Sequence, residues 1–204
     1  MNKGVVAVLA LVAAAIAGPA AAQSNDESGI YLGGSIGYAQ YKDTCKNLIV
    51  ACDDNDTAAR GFAGYQWNRN WMLELGYGNY GQATGAGQSN AGPGTFVRET
   101  SGFDLSGIGS LNITTRLAAF GRLGVYSMRT TFDQDIPGVF QAHDAKTQSG
   151  FMYGAGLSYT LGRLGMRAEW FHYDNVGGVA TGPQGFTDNK DEIDVFALSV
   201  LFRF

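Results

Sequence analysis

The sequence predicts an all-β fold, an eight-stranded antiparallel up-and-down transmembrane β-barrel, and three observations predict it. Hydrophobic residues make up 45% of the chain and charged residues 16%, yet the mean hydropathy is −0.07. Beyond the N-terminus no apolar run approaches the roughly 18 residues of a membrane helix. The chain from Ser28 onward is instead a series of segments of about 9 to 14 residues with a period of two, separated in strict alternation by tight turns and long polar loops. Low charge without a long apolar run is what a membrane barrel requires, because every second residue faces the lumen and dilutes the apolar set. The 30 glycines and the 12% aromatic content agree with it.

The N-terminus reads as an export signal. Asn2 and Lys3 form a short positive region, residues 5–17 an apolar core, and Gly18-Pro19 a break. Ala20-Ala21-Ala22 fit a small-x-small cleavage site. The expected division is a signal peptide at residues 1–22 and a barrel domain at residues 23–204, with Gln23 first in the mature chain. The apolar core, about 13 residues long, is too short for an uncleaved anchor, and no cysteine follows the cleavage site to take a lipid. Export implies an oxidising compartment, so Cys45 and Cys52 are expected to form a disulfide. In the chain-entropy model, closing that short loop stabilises by roughly 2.5 kcal/mol. Two free thiols are the alternative, and two cysteines alone make a poor metal site.

Eight crossings are expected near residues 28–41, 58–68, 71–84, 98–112, 115–131, 148–161, 164–176 and 191–204. The tight turns are Asn68-Arg69-Asn70, Asn112-Ile113-Thr114 and Leu161-Gly162-Arg163, and the long loops lie near 42–57, 85–97, 132–147 and 177–190. Alternation assigns the faces. In the third crossing Trp71, Leu73, Leu75 and Tyr77 oppose Met72, Glu74, Gly76 and Gly78. In the fifth, Leu117, Ala119, Leu123 and Val125 oppose Ala118, Phe120, Arg122 and Gly124. In the sixth, Phe151, Tyr153, Ala155, Leu157 and Tyr159 oppose Met152, Gly154, Gly156 and Ser158. In the seventh, Met166, Ala168 and Trp170 oppose Arg167, Glu169 and Phe171, and in the last Phe196, Leu198, Val200, Phe202 and Phe204 share one face.

Charges thus share a face with glycine and small residues, while the opposite face is almost purely apolar. A soluble lipocalin-like barrel would show the inverse. Aromatics gather at both ends of the strands, with Trp67, Trp71, Tyr159, Phe202 and Phe204 on the turn side. Tyr38, Tyr77, Phe103, Phe151 and Trp170 lie towards the loop side, completing two interfacial girdles. An exported barrel with lipid-facing walls belongs in the outer membrane of a Gram-negative bacterium.

Particular segments resemble a known group. YLGGSIGYAQY at residues 31–41, GYQWN at 64–68, LELGY at 73–77, RLGV at 122–125 and RAEW at 167–170 follow one another in the order and spacing of a family pattern. Over its mature length the chain resembles the OmpA-like transmembrane domain family of small outer-membrane barrels. The closing VLFRF at 200–204, with Phe202 and Phe204, is similar to the C-terminal aromatic signal read by the barrel-assembly machinery. The resemblance stops at Phe204, so the peptidoglycan-binding domain of many relatives is expected to be absent. Family barrels often hold two acid–base pairs in the lumen. Glu74 and Arg167 match one pair, whereas Ile108 and Ser158 stand uncharged at the positions of the other. Losing both members together avoids an unpaired buried charge, which costs about 3–5 kcal/mol.

The expected luminal ionic cluster is Glu74, Arg122, Arg167 and Glu169, a neutral set that either plugs the barrel or gates a narrow path. Phe120, Tyr126, Met128 and Phe171 fill the interior further, since eight strands leave room for little beyond side chains. His172 and Asp174 fall on the lipid face near the outer rim. A lipid A deacylase would place a serine nucleophile beside such a histidine, and none stands at suitable spacing. His143-Asp144 reads as loop surface. The glycine-rich stretch 85–94 lacks the Lys-Ser/Thr of a phosphate loop. Asp53, Asp54 and Asp56 lack the glycine and terminal glutamate of an EF-hand. No metal, cofactor or catalytic residue is expected.

The net charge of −4 without a basic block excludes nucleic acid as a partner. Partners are instead outer-membrane lipid and lipopolysaccharide, with periplasmic chaperones and the assembly machinery during biogenesis. The family resemblance implies a non-enzymatic structural and surface role, in envelope integrity or in adhesion to host molecules through four extracellular loops. The alternatives are a narrow passive channel for water and small ions and, further away, an enzyme acting on lipid A.

Overall fold

The computed structural model describes residues 28–42, 51–89, 92–136, 140–177 and 191–204. Nine strands follow one another: β1 (Gly29–Tyr41), β2 (Ala51–Asp53), β3 (Asn55–Gln66), β4 (Trp71–Ser89), β5 (Gly92–Asn112), β6 (Leu117–Ile136), β7 (Phe140–Leu161), β8 (Leu164–Val176) and β9 (Asp191–Arg203). Each long strand pairs antiparallel with its neighbours, and the β4–β5 and β1–β9 ladders complete the ring. The short β2 continues the line of β3 past Asp54 and pairs with the far end of β4. The architecture is therefore a closed eight-crossing, up-and-down β-barrel, in which every crossing is paired on both sides along the ring.

Alternation decides what each residue meets. Trp71, Leu73, Leu75 and Tyr77 point outward and are exposed, as are Leu123, Val125, Phe151, Tyr153, Leu157, Phe196, Leu198 and Val200. Met72, Glu74, Phe120, Arg122, Met152, Arg167, Glu169 and Phe171 point inward and are buried. An apolar wall facing outward around a polar interior is stable only against acyl chains. The rims carry aromatic side chains, Trp67, Trp71, Tyr159 and Phe204 at the turn end and Tyr38, Tyr77, Phe103 and Phe151 nearer the other.

Three tight connections join the strands at one end. The Leu161–Leu164 pair closes β7–β8 through two residues, and only the first, Gly162, has a positive φ, of 60°. That is the arrangement of a II′ hairpin turn, which accepts glycine without strain. The β5–β6 turn occupies residues 113–116, slightly later than the expected Asn112–Thr114, because Ile113 and Thr114 both donate to the Leu117 carbonyl.

The opposite end differs from expectation. The stretches 85–97 and 132–147 are not long loops. The β4–β5 ladder continues to the Ser89–Gly92 pair and the β6–β7 ladder to Ile136–Phe140. Strands β4 to β7 have 19 to 22 residues, roughly twice the 9–11 that cross a bilayer. The second crossing also begins early, at Asn55 rather than residue 58. These hairpins stand beyond the apolar band, where cross-strand hydrogen bonds persist and an apolar outer face is no longer required.

Candidate functional site

The lumen holds the densest chemistry of the described residues, and Glu74 is its centre. Glu74 is fully buried on β4, and its carboxylate accepts hydrogen bonds from Tyr31, Arg60 and Arg167 and pairs with a third cation, Arg122. Arg60 Nη1 and Arg122 Nη2 each lie 2.9 Å from Oε1, and Arg167 Nη1 lies 2.7 Å from Oε2. The Tyr31 hydroxyl donates to Oε2 at 3.0 Å. Three hydrogen bonds and a further cation suit an ionised carboxylate.

The three arginines have further anions. Arg60 forms a two-pronged contact with Asp104, at 2.8 Å through Nε and 2.6 Å through Nη2. Arg122 reaches Glu169 at 2.9 Å, and Ser199 donates to the other oxygen of Glu169 at 2.5 Å. Three cations and three anions therefore form one neutral network. The guanidinium carbons lie over aromatic rings: Arg60 over Phe62 at 5.2 Å, Arg122 over Phe171 at 5.7 Å, Arg167 over Tyr31 at 5.3 Å and over Phe120 at 5.6 Å. Ion pairs neutralise the charge and aromatic rings face it, which offsets the desolvation of buried ions.

Above this layer the interior becomes aromatic. Tyr80 and Tyr173 share a hydrogen bond at 2.7 Å, and Tyr41 donates to the Tyr80 carbonyl at 3.2 Å. Tyr126 donates to the Asp174 carbonyl. Higher still, Arg98 crosses to Asp191 at 2.7 Å and donates to the carbonyls of Val176 and Gly177 at 2.9 and 2.8 Å. Buried side chains thus line the lumen from the layer of Tyr31 and Phe62 to that of Arg98 and Asp191.

Alternation brings Glu74, Arg122, Arg167 and Glu169 together, as their shared face suggests. Arg60 and Asp104 were not among the expected luminal charges, although they carry the same signal. Arg60 alternates in phase with Ala58 and Phe62, and Asp104 with Gly102 and Ser106. The cluster is thus larger than the expected two-plus-two set and still neutral. Ile108 is buried without charge, and Ser158 lies 3.5 Å from the Ala118 carbonyl. The charges on Arg60, Asp104, Arg122 and Glu169 lie elsewhere on the wall.

His172 is on the outward phase, but it is buried rather than lying open to lipid. Its Nδ1 meets Asp194 at 2.7 Å, and the rings of Tyr153 and Trp170 flank it at centroid distances of 4.9 and 6.4 Å. Lys42 meets the other oxygen of Asp194 at 2.8 Å. That hydrogen bond raises the Lys42 ammonium above its ordinary value. Phe202 and Phe204 meet edge to face at 5.3 Å at the turn end. Cys45 and the side chain of Cys52 lie outside the described residues, as does the proposed signal peptide.

Comparison with known proteins decides the family. The OmpA-like transmembrane domain model matches residues 25–204. The chain belongs to the OmpA-like transmembrane domain family. Outer membrane protein A of Salmonella typhi is 27% identical over 206 residues, covering 100% of this chain and 56% of that protein. Its Shigella flexneri counterpart is 26% identical, with the same coverage. This OmpA-like chain therefore spans about half the length of the curated relatives it matches.

Among solved structures, Neisserial surface protein A matches with a TM-score of 0.55 at 13% identity, covering 87% of this chain and 99% of its own. Ail of Yersinia pestis, solved with the heparin analogue sucrose octasulfate, matches with a TM-score of 0.51 at 17% identity, covering 86% of this chain and 99% of its own. At these identities the likeness is one of fold. With the OmpA-like family and an apolar outer wall established, the protein is placed in the cell outer membrane.

Proposed function

We propose that this OmpA-like barrel is a structural and surface protein of the envelope, whose closed wall anchors loops and long hairpins on the outer side. One observation carries the reading: a neutral six-residue ionic network around Glu74 spans the lumen. Such an interior stiffens the barrel and leaves recognition to the loops, which a rigid scaffold is suited to present. Adhesion to host or surface molecules is the finer role of those loops. Ail, with which the chain shares its fold, was solved holding a sulfated sugar analogue. The reading assigns no catalysis to the protein.

Export accompanies this role. The proposal includes cleavage after Ala22, recognition of Phe202 and Phe204 by the assembly machinery, and a Cys45–Cys52 disulfide. N-terminal sequencing of the membrane-bound protein should begin at Gln23, and alkylation should add mass only after reduction. The deciding experiment is a planar-bilayer recording of the refolded protein. Closed traces support the structural reading. Steady single-channel steps in the unaltered protein would replace it with the second reading, a narrow passive channel. An unchanged lipid A acylation pattern in the presence of the protein is expected, and a changed one would restore the enzyme alternative.

A further inference from the structure

On the outer face of the barrel, at the loop-side rim, β8 and β9 depart from regular pairing. His172 opposes Asp194 and Tyr173 opposes Ile193, but the next pair is Val176 with Asp191. Asp174 and Asn175 therefore stand together opposite the single residue Glu192. Asn175 has a φ of 60°, in the left-handed region. A bulge of this kind re-aims the neighbouring side chain. Its result here is that donor atoms of His172, Asp174 and Glu192 all lie within 4.8 Å of one another.

Two carboxylates facing each other across a ladder repel. Lys42 offsets part of this, at 2.8 Å from Asp194 and 3.6 Å from Glu192. Among the described residues, Asp174, Glu192 and Asp194 stand against Lys42, an excess of two negative charges when His172 is neutral.

The second observation concerns His172 itself. Its side chain is 6% exposed. Asp194 is a carboxylate and accepts, so Nδ1 carries the hydrogen and the lone pair of the neutral ring is at Nε2. That nitrogen has no hydrogen-bond partner among the described residues and lies 3.9 Å from Glu192 Oε2. A buried imidazole whose other nitrogen is held by a carboxylate is the arrangement that orients histidine ligands toward metals.

We propose that His172 Nε2, Asp174 and Glu192 form a binding site for a divalent transition ion of the Zn²⁺ class, with Asp194 positioning His172 and solvent completing the coordination. One nitrogen and two carboxylates suit zinc better than Ca²⁺ or Mg²⁺, which take oxygen ligands. Donor atoms around tetrahedral zinc stand roughly 3.3 Å apart. The groups must therefore draw in by about 1.5 Å at most, and Glu192, with 42% of its side chain exposed, is free to do so. A dipositive ion would neutralise the rim and tie β8 to β9 beside the bulge.

The test is calorimetric titration of ZnCl₂ into the refolded full chain in detergent micelles, with Co²⁺ absorption as a spectroscopic check. One site per barrel is expected, with visible Co²⁺ bands characteristic of nitrogen and oxygen ligands. H172Q and E192Q should each weaken binding at least about tenfold, and D194N should do so about 10- to 100-fold. H143Q, which alters the chain's other histidine, should bind as the parent does. If H172Q does not refold, E192Q at its half-exposed position carries the test. No zinc binding by the parent, undiminished binding by E192Q, or loss of binding in H143Q would each overturn the proposal.

Discussion

The Arg60 guanidinium occupies the space that a side chain at Gly76 would need: a β-carbon built at residue 76 falls 2.3 Å from Arg60 Nη2 and 2.4 Å from Nε. Gly76 therefore lets a long cation from β3 lie flat against β4 and reach Asp104 on β5. Glycine and charge share this part of the luminal face because the Arg60 guanidinium lies across a wall with no protruding atom.

A methyl group at residue 76 would displace Arg60 from both Asp104 and Glu74. Gly76→Ala should destabilise the barrel by about 1–3 kcal/mol, the range for overpacking. The check is urea unfolding in lipid vesicles followed by tryptophan fluorescence. Gly61, with no atom within 4 Å of a built β-carbon, is the control. Gly61→Ala should stay within about 0.5 kcal/mol of the parent.

Glu74 holds three arginines at once, so neutralising it has a larger effect than neutralising its neighbour. Glu74→Gln keeps the shape but leaves Arg167 without the carboxylate at 2.7 Å. It should cost about 3–5 kcal/mol, as expected for breaking a buried pair. Asp104→Asn removes one partner of Arg60 and leaves the Glu74 contact, so its cost should be smaller. Equilibrium unfolding of both variants in the same vesicles gives the order. In planar bilayers Glu74→Gln should also show conductance steps more often than the parent, because repelling guanidinium groups no longer close the lumen.

The faces of the third crossing and of the fifth to the last were legible in the sequence because lipid on one side and packed charge on the other impose opposite demands at alternate residues. Leu198 and Ser199, or Leu73 and Glu74, need no structure to be told apart. The legibility ends where the membrane ends. Above it, Gln82, Thr84, Thr95, Arg129 and Asp133 are strand residues exposed to water, so the period-two contrast vanishes although the ladder continues. Partners within the lumen were hidden for another reason. Arg60 and Asp104 are 44 residues apart, and Arg167 and Glu74 are 93 apart, and those distances are set by barrel closure rather than by local pattern. The rim cluster depended on a bulge at Asn175, which nothing in the alternation announces.

Lipid-facing residues should respond to depth. Leu198 lies midway along β9, opposite Ile36 and Ala168, whereas Leu164 adjoins the β7–β8 turn. Leu198→Lys should cost about 2–4 kcal/mol and Leu164→Lys no more than about 1, because the penalty falls toward the interface. Unfolding free energies of the two variants in one lipid provide the comparison. Equal costs at both positions would contradict the placement of the apolar band.

The Tyr80–Tyr173 pair makes a cyclic test possible. Both hydroxyls are buried, they lie 2.7 Å apart, and the rings meet edge to face at 5.1 Å with their planes at 65°. Tyr80→Phe removes one hydroxyl and strands the other, so it should cost about 1–3 kcal/mol, the penalty for a buried polar group left unsatisfied. Tyr173→Phe should cost a similar amount. Removing both hydroxyls takes away the donor and the acceptor together, and the double variant should be no less stable than the worse single one. Its cost should fall clearly below the sum of the two, since residues in direct contact are not additive. Ring packing survives in all three variants, so the shortfall measures the hydrogen bond alone. Strict additivity in the unfolding free energies would mean that the hydroxyls do not bond across the lumen, and that this aromatic layer is held by ring contacts without them.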